Sequence, residues 1–211
     1  MSGQPTFKNY PNKVVKTESG ETIWHSRACA VVAEVFLYSV QLCKWYVLLG
    51  KRGDNVPDYK GFWGLPCGYL DWNESLYEAM EREVWEETGL WLTHLALNKN
   101  ITSSTGFARK GNANDPLPWK ISDKSLSDSQ NVSFHFGILA CWRGDALPKL
   151  TTANCTAGEA MDAQWIELNR AASMDLAFKH QPRLKELLVV ERERFESISS
   201  EVIKNYLVSQ D

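Results

Sequence analysis

A chain of 211 residues, 44% hydrophobic and 23% charged, has the composition of a globular protein and can bury one good core, so one domain with embellishments is expected. Its formal net charge of −3 gives no general attraction to a polyanion, which leaves nucleic-acid binding without support and assigns any phosphate binding to local basic residues. No apolar run approaches the ~20 residues that span a bilayer, and the N-terminus MSGQPTFKNYPNK lacks a signal-peptide core, so a cytoplasmic protein with no membrane partner is expected.

In chain order, residues 1–25 read as an N-terminal extension. Residues 28–38 (ACAVVAEVFLY) and 44–49 (KWYVLL), rich in β-branched and aromatic side chains and separated by a short polar turn, predict paired strands. Gly61, Gly64, Pro66 and Gly68 then break up Phe62, Trp63 and Leu65, which predicts a shaped loop whose backbone closely approaches a ligand. A helix follows: Asp71 with Glu74 makes a capping-box-like start, Asn73 is a second cap candidate, and Gly89 supplies the left-handed stop. Residues 90–97 (LWLTHLAL), 132–142 (VSFHFGILACW) and 163–168 (AQWIEL) read as further strands. The polar stretch 98–131 reads largely as loop, of a length that is usually a functional lid or a tether. After Pro182 the chain reads as helix, with Leu184, Leu188, Phe195, Ile198 and Val202 on an apolar face. A helix packed across the sheet is the favoured reading for 184–190; a homodimer seam is the alternative. The five cysteines are odd in number and include no CxxC pair, so reduced thiols are expected in place of disulfides or zinc.

The helix carries the chemistry. At about 100° per residue, Leu76, Met80, Glu83 and Glu87 share one narrow stripe that begins apolar and ends acidic. A solvated acidic face would lie opposite Leu76, Ala79, Met80 and Val84, as Glu78 and Glu81 do; Glu83 and Glu87 instead continue the buried seam, with Glu86 one step aside. Like charges four residues apart repel, and a cation is the natural compensation. Hard oxygen ligands in this number suit Mg²⁺ or Mn²⁺.

The same segment, 68–90 (GYLDWNESLYEAMEREVWEETGL), resembles the Nudix box: Gly68, Glu74, Arg82, Glu83, Val84, Glu86, Glu87, Gly89 and Leu90 fill every constrained position. Cys67 departs from it, giving LPCG where glycine is usual. The resemblance spans residues 26–188, with 189–211 as a C-terminal helical extension. It implies an α/β fold, a Nudix-type α/β/α sandwich with a mixed β-sheet. Glu83 and Glu87 are the expected metal ligands, with Glu86 a third ligand or the holder of a water; the family pattern adds the Gly68 carbonyl. Arg82 and Glu74 look like the supporting pair that orients the carboxylates. The resemblance also points to Glu159, on a loop opposite the metal helix, as the leading base, with Glu86 the runner-up. Arg27, Arg52 and Lys60 are candidates for substrate phosphates and sugar, although each alone is more often a surface charge. Trp24, His25, Trp119, His135, Phe178 and His180 are candidates for stacking a base, each with core or surface packing as the commoner role.

The activity implied is metal-dependent hydrolysis of the diphosphate of a nucleoside diphosphate linked to another moiety, of the ADP-ribose, dinucleotide or nucleotide-sugar type. The short stretch LAFKHQPRL from Leu176 is similar to ADP-ribose pyrophosphatase-like members. Pyrophosphate removal from a nucleoside triphosphate is the alternative enzyme, and a non-catalytic nucleotide-sensing regulator the alternative of another class.

Overall fold

A computed structural model describes residues 12–107, 116–123 and 131–208, with side chains through residue 200. An exposed hairpin, β1 (Lys13–Lys16) and β2 (Thr22–His25), precedes the long strands β3 (Ala28–Ser39) and β4 (Lys44–Arg52) and the short β5 (Trp63–Gly64) and β6 (Cys67–Tyr69). Helices α1 (Leu76–Thr88) and α2 (Leu92–Ala96) follow, then β7 (Ile101–Thr105), β8 (Lys120–Ser122), β9 (Asn131–Trp142) and β10 (Ala160–Glu167). Next come α3 (Leu168–Ala171), a 3-10 turn at Ala177–Lys179, α4 (His180–Val190) and α5 (Arg192–Val208).

The main sheet runs β10-β4-β3-β9-β7, with β5 paired to β4, β6 to β3 and β8 to β9. β3 and β9 are parallel from Ala28↔Asn131 to Ser39↔Trp142. The other pairings are antiparallel, so the sheet is mixed. β3 lies at the centre with both faces covered, and it therefore reads as a continuous apolar run and not an alternating one. Its odd-numbered residues Val31, Ala33, Val35 and Leu37 pack with Met80 and Val84 of α1. Val32 and Phe36 pack on the opposite face with Leu184 and Leu187 of α4 and Phe195 of α5. The expected α/β/α sandwich is the observed one. No helix among the described residues is long and apolar enough to cross a membrane.

Three sequence expectations are corrected. Residues 90–97 do not form a strand: α2 occupies the middle of the stretch, burying Leu92 and Leu95 three residues apart while Thr93 and His94 face out. A short apolar run does not distinguish strand from helix by periodicity, and here the turn-spaced leucines decide. The stretch 98–131 is not wholly loop, because β7 and β8 both pair with β9; residues 108–115 and 124–130 lie outside the described residues. The helical tail breaks at Glu191 into α4 and α5 and begins at His180, with Pro182 in the first turn where its missing N–H costs nothing. Leu184 and Leu187 are buried against the sheet, as the favoured reading of that helix required, while the side chain of Val202 lies outside those described.

Candidate active site

α1 starts one turn later than the sequence suggested. Ser75 is the N-cap: its hydroxyl accepts from the Glu78 amide at 3.3 Å, and the Glu78 carboxylate accepts from the Ser75 amide at 2.7 Å. Asp71 and Asn73 are not the cap. Glu74 stays off the helix because its carboxylate grips Arg82 through Nε at 3.0 Å and Nη2 at 2.7 Å. Within the helix those eight residues would separate the two by about 12 Å along the axis. Gly89, at φ 68°, stops the helix as expected.

Arg82 is the hub. Beyond Glu74, its Nη1 donates to Glu83 at 2.7 Å and to Glu86 at 3.0 Å, and its Nη2 donates to the Tyr69 carbonyl at 3.0 Å. One planar fork thus fixes three carboxylates relative to β6. β6 is tied to β3 by the register Val31↔Gly68, and a Cβ at Gly68 would stand 2.0 Å from Oε1 of Glu83. Only glycine there leaves room for that carboxylate. One turn on, the Glu87 carboxylate accepts from the Cys67 amide and lies against β4, 3.5 Å from where a Cβ on Gly50 would stand.

Glu87 lines a pocket that also contains Arg52, Cys67 and, from the loop before β10, Glu159. That loop is fastened to the end of β4: the Gly53 amide donates to the Glu159 carbonyl at 2.7 Å and the Asn55 amide to the Gly158 carbonyl at 2.9 Å. Burial and the neighbouring Glu83 charge, opposed by Arg52, push the Glu87 carboxyl up to about 8. Glu83 is raised by burial, with Arg82 opposing, and both Glu86 and Glu159 push it further up. The acids of this site therefore strengthen one another's demand for positive charge, and their donor set is all oxygen. That chemistry fits a hard divalent ion. As the side chains stand, no group of three His, Cys, Asp or Glu among the described residues encloses a single ion position, since Arg82 draws Glu83 and Glu86 to itself.

The residues singled out from sequence divide accordingly. Gly68, Glu74, Arg82, Glu83, Glu86 and Glu87 are brought together, with Arg52 and Glu159 on the same pocket as Glu87. Arg27 is not brought to the pocket, because its guanidinium is spent on the carbonyls of Asp123 and Asn131 beside β9. Lys60 is exposed on the β4–β5 loop and does not line the pocket.

A model of the NUDIX domain matches residues 31–188. This chain belongs to the Nudix family. Among curated relatives, phosphatase NudJ of Escherichia coli K12 is 52% identical over 31 residues, 15% of this chain and 20% of that protein. The chain thus spans about a fifth of the length of the curated relatives it matches. Among solved structures, the NUDIX domain of Shewanella oneidensis NrtR, complexed with ADP ribose, is similar with a TM-score of 0.51 and 22% identity over 81% of this chain and 90% of that one. A bifunctional NMN adenylyltransferase/ADP ribose pyrophosphatase from Francisella tularensis is similar with a TM-score of 0.52 and 22% identity over 77% of this chain and 40% of that one. At such identities the likeness is one of fold.

In this Nudix protein the base-stacking candidates separate by location. His135 and Trp119 are not at the pocket: His135 Nδ1 lies 2.9 Å from Glu34, and Trp119 Nε1 donates to Glu34 at 2.6 Å. Glu34 is 0% exposed and is also held by Arg183 through Nε at 2.7 Å and Nη2 at 3.0 Å. His180 is buried and accepts the Leu65 amide at Nδ1, 3.0 Å away, which ties α4 to the glycine-rich loop. Trp24 and His25 are exposed on the hairpin. Phe178 alone of the six lines the pocket. Sequence reasoning missed Glu34, although a lone carboxylate inside an apolar central strand signals a buried group that needs partners.

Proposed function

We propose that this protein is a metal-dependent Nudix hydrolase that cleaves the diphosphate bond of a nucleoside diphosphate linked to another moiety, of the ADP-ribose, dinucleotide or nucleotide-sugar type. The observation that carries this reading is the acidic end of α1 turned onto a pocket that holds one arginine, Arg52, with Glu159 on the same pocket. The similar NUDIX domain complexed with ADP ribose and the similar ADP ribose pyrophosphatase support the substrate class.

Mg²⁺ or Mn²⁺ would be held by Glu83, Glu87 and the Gly68 carbonyl, with Glu86 as a further ligand or the holder of a water. When bound, the ion supplies positive charge against an anionic diphosphate that otherwise repels an attacking water. Arg52 binds a phosphate oxygen. Arg82, anchored by Glu74, orients Glu83 and Glu86. Glu159 takes the proton of the attacking water as the new P–O bond forms and the anhydride P–O bond breaks, which leaves two phosphomonoesters. We take residues 26–188 as the unit that carries this activity, with 1–25 and 189–211 as extensions. We take the setting to be reducing and cytoplasmic, a reading that rests on the sequence alone, with its odd number of cysteines and no CxxC pair.

The test is phosphate-bond cleavage with Mg²⁺ across a panel of ADP-ribose, dinucleotides, nucleotide sugars and nucleoside triphosphates, for the wild type and Glu87→Gln. The expected result is turnover of the linked nucleoside diphosphates and its loss by orders of magnitude in the variant, whose melting temperature without metal stays level or rises because a repelling charge is gone. A wild type inert on the whole panel yet protected from melting by a nucleotide overturns the hydrolase in favour of a sensor.

A further inference from the structure

Three consecutive carbonyls of the loop before β10 are gripped by the end of β4. The Gly53 amide donates to the Glu159 carbonyl at 2.7 Å and the Asn55 amide to the Gly158 carbonyl at 2.9 Å. The Asn55 side chain adds the third bond, from Nδ2 to the Ala157 carbonyl at 2.8 Å. Asn55 is exposed, so core packing does not account for this double grip. The approach is as close as backbone permits: a Cβ on Gly53 would stand 2.1 Å from the Gly158 carbonyl oxygen, and one on Gly158, already at φ 85°, would stand 2.5 Å from Asn55 Nδ2.

The gripped segment is the one that aims Glu159. Ala160 stands opposite Arg52 in the β10–β4 register, and the pairing shifts between Ala160 and Asp162, an irregularity of the kind that re-aims side chains beside a site. Glu159 directly precedes that shift. Its amide donates to the Thr156 carbonyl at 3.0 Å, and the Cys155 thiol donates to its Oε2 at 3.7 Å, so the turn that carries it is closed on itself. Arg52 has its own anchor, Nε on the Asp58 carbonyl at 3.0 Å. Of the three bonds across the corner, only the one from Asn55 Nδ2 comes from a side chain, and a substitution can remove it without touching the backbone.

Resting on the hydrolase reading above, we propose that Asn55 is a positioning residue for the reaction: by clasping residues 157–159 to the end of β4, it sets the Glu159 carboxylate where it meets the attacking water. A base acts only within hydrogen-bond reach of the proton it takes, and a misplacement of ~1 Å costs about a hundredfold in rate. Arg52, Gly68, Glu83 and Glu87 keep their own contacts when the Asn55 side chain is lost. Substrate and metal binding therefore persist, and the proton-transfer step slows.

The test is steady-state kinetics with saturating Mg²⁺ on the best substrate of the panel above, for the wild type, Asn55→Ala, Asn55→Asp, Glu159→Gln and the Asn55→Ala/Glu159→Gln double variant. Asn55→Asp keeps the shape of the side chain and removes its donor. Both Asn55 variants are expected to lower kcat about tenfold while KM stays within about twofold. In the Glu159→Gln background, Asn55→Ala is expected to cost less than about twofold, because the group it positions is gone. Amide hydrogen exchange should quicken at residues 53–55 and 157–159 in the Asn55 variants and stay unchanged in α1. An unchanged kcat in both variants, a loss carried by KM, or the same tenfold loss in the double variant overturns the role, the last because a merely structural residue acts equally in both backgrounds. Normal cleavage by the wild type with an indifferent Asn55→Ala removes Asn55 and leaves the hydrolase; a wild type that cleaves nothing on the panel removes both.

Discussion

At position 68 a hydrogen atom separates the observed placement of the Glu83 carboxylate from a displaced one. β6 is paired to β3 and does not retreat, so a methyl at Gly68, 2.0 Å from Glu83 Oε1, displaces the side chain and breaks its 2.7 Å contact with Arg82. Gly68→Ala is therefore expected to lower kcat about a hundredfold, the order associated with a misplacement of ~1 Å. Its melting temperature should change little, since the displaced atoms are the end of a flexible chain. Steady-state kinetics beside a thermal melt checks this, and an unchanged kcat would show that Glu83 is not held against the strand. The stripe Leu76, Met80, Glu83, Glu87 was legible in the sequence because helical periodicity is local, and its acids do turn inward. The Arg82–Glu74 contact was legible as a pair, while its reach to the Tyr69 carbonyl was not, because it depends on where the loop before the helix runs.

At the scale of the element, α1 depends on a cap that the sequence reading misassigned. Asp71 with Glu74 matches the capping pattern as well as Ser75 with Glu78 does, and the choice turns on Glu74 being claimed by Arg82. Ser75→Ala is expected to cost ~1 kcal/mol through the lost cap. It should appear as a lower urea midpoint with the slope unchanged, and folded protein should keep its kcat because the Ser75–Glu78 cap lies outside the group of carboxylates held by Arg82. A midpoint equal to wild type would return the cap to Asp71 or Asn73. α2 illustrates the complementary limit: LWLTHLAL suits a strand by composition, and only burial of Leu92 and Leu95 against the core selects a helix.

Across the whole molecule, a polar knot joins β3, β9, α4 and the residue just before β8. Burial works to raise the Glu34 carboxyl, but hydrogen bonds from His135 and Arg183 outweigh it and hold the group below its ordinary range. Gly137 admits the knot's fourth member: a Cβ there would lie 2.3 Å from the Trp119 ring. Arg183→Leu leaves the Glu34 charge buried with one partner fewer and is expected to cost ~3–5 kcal/mol, measured by chemical denaturation. Glu34→Gln combined with Arg183→Leu should recover part of that loss, and no recovery would count against the charge as its origin.

His180, pushed down to about 3 by burial, stays neutral in the fold while the unfolded chain takes up a proton near 6.5. At this group the unfolded state then binds more protons throughout that window, so the His180 contribution falls as pH drops below 6.5, by ~2 kcal/mol at about pH 5. Glu87, raised to about 8, works in the opposite sense without metal, since the folded state keeps its proton from 8 down to 4.5. Glu34 has the sign of His180 at lower pH: its contribution is present above 4.5 and is lost as pH falls through its depressed folded value. Urea midpoints across pH check this as a difference: His180→Gln, which keeps an acceptor for the Leu65 amide, should gain stability relative to the wild type as pH falls from 6.5 to about 5. A difference between wild type and variant that does not change with pH would assign the acid sensitivity elsewhere.

The sequence by itself determined the acidic helix, its inward face, the strands β3, β4 and β9 and the family, because each rests on periodicity or on a pattern contained within a few turns of chain. Only the tertiary structure decided which cations join those acids. Arg52 reaches the pocket and Arg27 is consumed at β9; Glu34 draws Arg183 from 149 residues away; and Phe178 meets Tyr59 across two loops fastened by Trp63 and Leu176. Such contacts join residues far apart in the chain, and no local preference encodes them, since they form only once the sheet has brought its loops to one side.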